Sequence, residues 1–295
     1  QTVKELSSQY QKPIALCYIT DEEELAFVTK TIDYPIFPEP FDALSALAIS
    51  RDRSFRKSLT RKKAPSYRIN QTQVKHLFEK AKEEKRDPLL PEALEVLRTC
   101  GIPVADYQVV HERKGLKEAM EKMGKPVALK VISPEVSHKS DKGGVLLNID
   151  DLSKAEKAFE KIKKAGGKTF SGILVQKMVS EGIEVILGAK RDPSFGPVVL
   201  FGLGGIYVEI LKESSIRLAP IDRFEAEEMI SELKASAIFK GARGRKPLDT
   251  HALVENLLRL SQLIVDLPEI EGIDINPVIV LEKGAVAVDA RISLA

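Results

Sequence analysis

The chain has 295 residues, of which 43% are hydrophobic, and its 45 lysines and arginines nearly balance its 43 aspartates and glutamates. This balance argues against a nucleic-acid-binding protein, which usually presents a one-sided basic surface. The sequence contains no run of 18 apolar residues, so no membrane span is predicted. The two cysteines lie far apart without metal-site spacing, and no secretory signal opens the sequence, so we expect free thiols and a cytoplasmic location.

The first part of the chain alternates short helical and short apolar segments. Helices and strands are predicted, in chain order, at 3–10, 13–19, 21–30, 34–37 and 40–56. Two strands are too few for an independent sheet, so we interpret residues 1–57 as part of a larger α/β domain. A basic segment containing Pro and Ser then predicts a linker over 58–71.

The remainder, residues 72–295, has the pattern of one α+β domain. Helices are expected near 72–86, 91–100, 114–123, 151–165, 223–235 and 249–266. Strands are expected near 107–110, 126–132, 144–149, 172–178, 183–190, 197–201, 206–210, 273–280 and 285–291. The turn-rich segment between the strands at 183–190 and 197–201 predicts a β-hairpin.

The stretch between Lys130 and Gly144 carries the most distinctive chemistry. Lys130 places a cation inside an otherwise apolar strand, as phosphate binding requires. Gly143 and Gly144 let backbone N–H groups approach an anion closely. Between these points lies His138, whose neutral imidazole can attack phosphorus as a nucleophile. A plain strand–loop–strand with a solvated tip explains the same residues, so the stretch alone leaves both interpretations open.

The C-terminal segment predicts a hairpin with an oxygen-rich edge. Asp274 and Asn276 share one face of a strand by the period of two, and Asp289 falls near Asn276 across the hairpin. Such oxygen donors suit a hard cation, and Mg²⁺ binds through one or two protein oxygens with nucleotide phosphates and waters. A polar edge on a half-exposed hairpin is an equally good interpretation of these residues taken alone.

Two familiar nucleotide motifs do not fit. Gly202–Gly205 lacks the last glycine of a dinucleotide fingerprint because Tyr207 stands there, and a P-loop ending at 167–169 is excluded because Ile162 occupies its first glycine position. The strand and connector at 173–179 can instead offer backbone groups to an adenine edge, and the carboxylate of Glu184 can hold ribose hydroxyls. An ordinary loop with a surface glutamate is the alternative.

Taken together, these pieces resemble the ATP-grasp domain of the nucleoside-diphosphate-forming acyl-CoA synthetases, relatives of succinyl-CoA synthetase. The resemblance covers about residues 72–295 and rests on six ordered blocks: 128–130, 133–145, 191–197, 202–205, 241–244, and 274–277 with 289–291. Residues 1–57 resemble the C-terminal half of the small flavodoxin-like domain that precedes ATP-grasp in fused members. The expected fold class is therefore α/β and α+β, an ATP-grasp fold preceded by part of a flavodoxin-like, succinyl-CoA-synthetase-type domain.

The resemblance implies the reaction ADP + phosphate + acyl-CoA ⇌ ATP + carboxylate + CoA, with ATP or ADP and Mg²⁺ as ligands. It implies that His138 is a phosphohistidine carrier on a mobile loop. At the nucleotide it implies phosphate contacts from Lys130, the amides of Gly143 and Gly144 and, less specifically, Arg191. It also implies an adenine pocket at Gln176, Lys177, Met178 and Val179, a ribose contact at Glu184, and magnesium ligands at Asn276 and Asp289.

The CoA-binding and CoA-ligase domains of such enzymes have no counterpart in these 295 residues. We therefore expect a partner subunit or upstream domains, which would bring acyl-CoA and phosphate, and we expect an oligomer with no nucleic-acid or membrane partner. Two alternatives remain open at this stage. One is an ATP-grasp-like regulatory region of a protein acetyltransferase, and the other is an ATP-grasp carboxylate–amine ligase, which needs no histidine carrier.

Overall fold

The structure, a computed structural model, describes residues 2–58, 63–135, 143–179, 181–205, 213–241 and 246–295. The chain divides into two compact units, Gln1–Lys62 and Lys63–Ala295. The predicted domains at 1–57 and 72–295, with their linker, stay predictions, because compactness alone does not identify a domain.

The smaller unit is a small α/β layer. Its elements are α1 (Thr2–Tyr10), β1 (Leu16–Cys17), α2 (Glu22–Thr31), β2 (Ile36–Phe37) and α3 (Pro40–Ser58), and the two strands pair in parallel. Asp21 caps α2, accepting a hydrogen bond from the Glu24 N–H at 2.9 Å. Both strands are shorter than predicted, since neither has a second neighbour among the described residues along which to extend.

The larger unit packs helices against two antiparallel sheets. Its helices are α4 (Gln71–Glu83), α5 (Leu90–Thr99), α6 (Leu116–Met123), α7 (Leu152–Gly166), α8 (Arg223–Ser231) and α9 (Thr250–Asp266). Short 3₁₀ segments occur at Arg113–Gly115, Gly167–Thr169 and Lys234–Lys240.

The first sheet is four-stranded in the part of the chain that the structure describes, with the order β3-β6-β4-β5. Its strands are β3 (Tyr107–Val110), β4 (Val127–Ile132), β5 (Val145–Ile149) and β6 (Gly172–Lys177). Alternate residues of β4, such as Leu129 and Val131, belong to a core cluster shared with α6 and α7. Because side chains alternate along a strand, Lys130 and Ile132 point to the opposite face, and Ile132 belongs to the core of the second sheet.

The second sheet has six described strands in the order β11-β10-β7-β8-β9, with β12 also paired to β10. These strands are β7 (Ile183–Asp192), β8 (Gly196–Leu203), β9 (Ser214–Leu218), β10 (Ile270–Val280), β11 (Ala285–Ala287) and β12 (Arg291–Leu294). One face, with Leu187, Phe201 and Ile275, is buried in the core that contains residues of α8 and α9. The other face carries exposed polar side chains, among them Glu184 and Asp274.

The mixed helix-and-sheet fold class and the β7–β8 hairpin are confirmed. The helix predicted over 223–235 ends at Ser231, because the chain turns to an extended conformation at Leu233. Strand β9 was not predicted, since its five residues mix serine and arginine with two exposed apolar side chains. The strand predicted at 206–210 lies outside the described residues.

Candidate functional site

Lys130 joins the two sheets of the larger unit. Its side chain leaves β4 with only 5% of its surface exposed. The ammonium donates to the carbonyl of Val288 at 2.7 Å and lies 3.3 Å from the Oδ2 atom of Asp289, both in the loop after β11. A buried lysine is retained in a fold only when its charge is paired and hydrogen-bonded. The contact therefore fixes a cation beside an acidic group at the junction of the sheets.

Asp289 and Asn276 lie next to each other at this junction. The backbone N–H of Asn276 donates to the carbonyl of Asp289 at 3.2 Å, and the N–H of Ala290 donates to Oδ1 of Asp289 at 2.9 Å. The predicted proximity of Asn276 and Asp289 is thus present in the fold. The Asn276 side chain is exposed, whereas that of Asp289 is 21% exposed.

Asp274 is a third oxygen-bearing residue at this place, and the set of expected ligands did not include it. It pairs with Gly188 of β7 and Arg291 of β12, two residues before Asn276 on β10. Although Asp274 keeps some solvent contact, the surrounding protein raises its pKa, and the charge of Asp289 raises that pKa further while Arg291 opposes the shift. The signal that could have found Asp274 is the face it shares with Asn276.

The donor set fits magnesium better than a softer metal. No cluster of three or more His, Cys, Asp or Glu side chains able to hold a metal is found among the described residues. One carboxylate and one amide are, however, the number of protein ligands that Mg²⁺ uses when substrate phosphates and waters complete its octahedron. The oxygen-only chemistry of Asn276 and Asp289 is therefore compatible with a magnesium–nucleotide complex.

Gln176 lies on the same face of the four-stranded sheet as Lys130. The register pairs Gln176 with Ala128 and Leu174 with Lys130, so the two polar side chains are diagonal neighbours. Gln176 is 0% exposed, and neither atom of its side-chain amide has a hydrogen-bond partner among the described residues. Because an unmade buried hydrogen bond costs about 1–3 kcal/mol, the Gln176 amide would gain from a hydrogen-bonding partner beside Lys130.

After Gln176 the chain passes through the last residue of β6, Lys177, into a short connector. Lys177 is exposed, and its N–H donates to the carbonyl of Asp106 at 2.9 Å. Met178 and Val179 are half-buried and follow the end of the strand. These three residues adjoin Gln176 along the chain, as the predicted adenine pocket requires, and their contact with a base stays a prediction.

Glu184 lies near the start of β7, on the exposed face of the six-stranded sheet. It pairs with Ile279 of β10, three residues along that strand from Asn276. Adjacent strands lie about 4.8 Å apart and residues rise about 3.4 Å each, which separates Glu184 from Asn276 by on the order of 10 Å. Glu184 and Asn276 therefore lie on the same surface of the sheet.

The described residues that follow the histidine-bearing segment lie beside Lys130. Val145 pairs with Lys130, and the carbonyl of Gly144 accepts a hydrogen bond from Val131 at 2.8 Å. Gly143 has a φ of +69°, a conformation that favours glycine. His138 itself lies outside the described residues. The described chain after His138 therefore resumes at the backbone of Lys130, and the catalytic role of His138 stays a prediction.

Arg191 is not brought to this site. Its guanidinium donates to the carbonyl of Ile264 at 2.6 Å and to that of Ile270 at 3.4 Å, which connects the end of α9 with the start of β10. It lies seven residues along β7 from Glu184, or about 24 Å in an extended strand. In this structure Arg191 therefore has a structural partner set, and its expected anion contact has no support from the geometry.

The chain is similar to known proteins of one family. The profile of an ATP-grasp domain family matches residues 59–294. The chain is 44% identical over 227 residues to the beta subunit of acetate–CoA ligase [ADP-forming] I from Pyrococcus furiosus, covering 75% of this chain and 97% of that subunit. It is 40% identical over 301 residues to acetate–CoA ligase [ADP-forming] I from Archaeoglobus fulgidus, covering 99% of this chain but only 44% of that protein.

A solved structure is similar as well. A dinucleotide-forming acetyl-coenzyme A synthetase 1 from Candidatus Korarchaeum cryptofilum has a TM-score of 0.66 and 39% identity, covering 75% of this chain and 100% of the matched chain. That protein was solved in complex with coenzyme A and Mg-AMPPCP, with its phosphohistidine segment pointing towards the nucleotide-binding site.

No helix among the described residues is long and apolar enough to span a bilayer. Our chain belongs to the ATP-grasp family, in the branch formed by the ADP-forming acyl-CoA ligases.

Proposed function

We propose that this chain is the nucleotide-binding and phosphoryl-transfer part of an ADP-forming acyl-CoA synthetase. The whole enzyme would catalyse ADP + phosphate + acyl-CoA ⇌ ATP + carboxylate + CoA. The observation that carries the proposal is the contact of Lys130 with Asp289 next to Asn276, which joins a phosphate-binding cation to magnesium-compatible oxygens. The similarity to ADP-forming ligases supports this function over the acetyltransferase and carboxylate–amine ligase alternatives.

The groups of the site divide the work of holding a nucleotide. Lys130 would neutralise phosphate charge and orient the terminal phosphate, since phosphoryl transfer depends mainly on positioning and charge stabilisation. Asn276 and Asp289 would hold Mg²⁺, which when bound supplies further neutralisation of the phosphates. Gln176 would pair its buried amide with the base, and Glu184 would accept hydrogen bonds from the ribose hydroxyls.

His138 would carry the phosphoryl group. A neutral ring nitrogen attacks the phosphorus atom of the incoming phosphoryl donor, a nitrogen–phosphorus bond forms, and the donor leaves with its bonding electrons. An oxygen of the ADP β-phosphate then attacks the same phosphorus, and the nitrogen–phosphorus bond breaks to leave ATP and neutral histidine. With about five residues on each side of His138, extended chain could carry the side chain on the order of 15 Å between two centres.

The smaller unit would belong to a domain that this sequence contains only in part. The A. fulgidus relative matches 99% of this chain, whereas the P. furiosus beta subunit, matched almost fully, accounts for only 75% of it. Ile19, Phe27 and Phe41 are at least 69% exposed, and Ala43 is the one buried hydrophobic among the described residues of this unit. We infer that these apolar side chains pack against the rest of a flavodoxin-like domain, on the chain or subunit that binds acyl-CoA and phosphate.

Transfer of label from ATP tests the proposed function. Incubation with γ-³²P-ATP and Mg²⁺ should label the wild-type chain on an acid-labile, base-stable group. The His138→Ala variant should lose the label, whereas His111→Ala should retain it, because the exposed His111 already bonds the carbonyl of Ser171. Equal labelling of wild type and His138→Ala would reject the carrier role.

A further inference from the structure

Two consecutive glycines after β8 enclose Glu184. A Cβ atom built on Gly204 would lie 2.9 Å from the carbonyl carbon of Glu184 and 3.0 Å from both its Cβ and its oxygen. One built on Gly205 would lie 2.8 Å from Oε2 of the same residue and 3.5 Å from its Cδ. For both glycines, the three nearest atoms all belong to Glu184. Contacts under 3.0 Å would require the neighbour to shift, so a side chain at either position would displace Glu184.

The two glycines act on different parts of Glu184. The N–H of Gly204 donates to the Glu184 carbonyl at 2.7 Å, extending the ladder that pairs Leu203 with Val185, so Gly204 holds the backbone. Gly205 has a φ of +58° and turns its open side toward the carboxylate. Among the described residues, none donates a hydrogen bond to that carboxylate or forms an ion pair with it. Steric room beside Gly205 therefore limits where the carboxylate can lie.

We propose that Gly204 and Gly205 are positioning residues that set the Glu184 carboxylate for the two ribose hydroxyls of the nucleotide, and thereby determine the preference for ribonucleotides over deoxyribonucleotides. The proposal rests on the proposed nucleotide-binding function. Gly205 is the informative position, because a methyl group there meets the carboxylate and leaves the Glu184 backbone in place. The ribose specificity would thus depend on Gly204 and Gly205 as well as on Glu184 itself.

Nucleotide selectivity measures this effect. Dissociation constants of ADP, 2′-deoxy-ADP and 3′-deoxy-ADP would be determined by calorimetry on the full chain with excess Mg²⁺. Wild type should prefer ADP by about 10- to 100-fold, the ratio expected for a hydrogen bond to a charged group. Glu184→Ala should abolish this preference. Gly205→Ala should reduce it to within about threefold, because the displaced carboxylate no longer meets the hydroxyls, while the affinity for deoxy-ADP stays within about twofold.

A matched control separates the contact from backbone strain. Gly196 sits at the other end of the same hairpin with a φ of +78°, and a Cβ built there meets nothing within 4 Å. Gly196→Ala should keep the wild-type selectivity. If Gly205→Ala proves unstable by thermal melting, Gly205→Asn replaces it, because asparagine tolerates the left-handed region and carries the same Cβ.

The outcomes distinguish the two claims. Wild-type selectivity in a folded Gly205→Ala or Gly205→Asn protein, together with its loss in Glu184→Ala, would overturn the positioning role and leave the ribose contact intact. Wild-type selectivity in Glu184→Ala would overturn the ribose contact and the positioning role with it. Loss of selectivity in the Gly205 and Glu184 variants but not in Gly196→Ala is the result the proposal expects.

Discussion

The two sheets of the larger unit offer their polar groups in opposite ways. On the four-stranded sheet, Lys130 and Gln176 are 4% and 0% exposed, so the protein interior encloses a charge and an amide. On the six-stranded sheet, Glu184, Asp274 and Asn276 are exposed on an open face. Buried polar groups are costly unless something satisfies them, whereas exposed ones cost little. Val288 and Asp289 satisfy Lys130, so the Gln176 amide is the buried group of this pair that a ligand could satisfy. The six-stranded sheet supplies exposed groups that a ligand can bridge.

The largest expected effect comes from breaking the connection between the sheets. Lys130→Met keeps the length of the side chain but removes the charge that pairs with Asp289. Loss of a charge-assisted bond to phosphate should weaken Mg-ADP binding by about 10- to 100-fold, measured by calorimetry.

Arg191→Met provides the matched comparison for Lys130. Both residues are cationic side chains on β-strands, but Arg191 donates hydrogen bonds to the carbonyls of Ile264 and Ile270. Its loss should lower the melting temperature by a few degrees, as expected for about 1 kcal/mol in a domain of this size, and leave the Mg-ADP affinity within about twofold. Equal loss of affinity in both variants would mean that the geometric distinction between them is wrong.

The Gln176→Leu substitution tests whether the buried amide of Gln176 serves the nucleotide or the fold. The substitution removes an amide whose two polar atoms are orphaned, and it replaces them with an apolar side chain of similar size. Stability without nucleotide should rise by about 1–3 kcal/mol, seen as a higher melting temperature, while nucleotide affinity falls. A variant with lower stability and unchanged affinity would show that the amide has a structural role instead.

A smaller effect is expected on the open face, where Asp274 titrates. Burial of its carboxyl group and the charge of Asp289 raise the pKa of Asp274 above the ordinary value of 3.8. The folded state therefore binds a proton at Asp274 more tightly than the unfolded state. The contribution of Asp274 to stability is fully present below the unfolded pKa and is lost as pH rises through the raised folded pKa. Asp274→Asn should be more stable than wild type at neutral pH, and the difference should shrink in acid. Melting curves between pH 3 and 7 check this.

The same contrast explains which parts could be predicted from sequence. Lys130 stands out in the sequence because a charged residue interrupts an apolar run, whereas Gln176 was expected at the adenine only through the family resemblance. The register of β4 on β6 then shows that both share one buried face. Asn276 and Asp289 were predicted together because a short hairpin fixes their proximity. Arg191 and Glu184 look alike in sequence, since each is a charged residue on β7. Only the fold shows that one reaches backbone carbonyls and the other the open face.

Other features had no local signal in the sequence. The bond from Lys130 to the carbonyl of Val288 joins residues 158 positions apart, and backbone carbonyls carry no residue-type signature. Gly204 and Gly205 were noted in the sequence as a failed dinucleotide motif and as one block of the family resemblance. Neither observation indicated their contact with Glu184, because the packing of β7 on β8 decides what those glycines face. Strand β9 forms because β8 offers it a hydrogen-bonding edge, despite its weak pattern.

The proposed nucleotide site is best tested by a crystal structure of the chain with Mg²⁺ and a non-hydrolysable ATP analogue. We expect a phosphate oxygen within about 3 Å of the Lys130 ammonium, a metal ion bound by Asn276 and Asp289, and a base that contacts the Gln176 amide. A nucleotide seated elsewhere would contradict it, for example in the cavity lined by Arg223, Phe239 and His251 on the helical side of the six-stranded sheet.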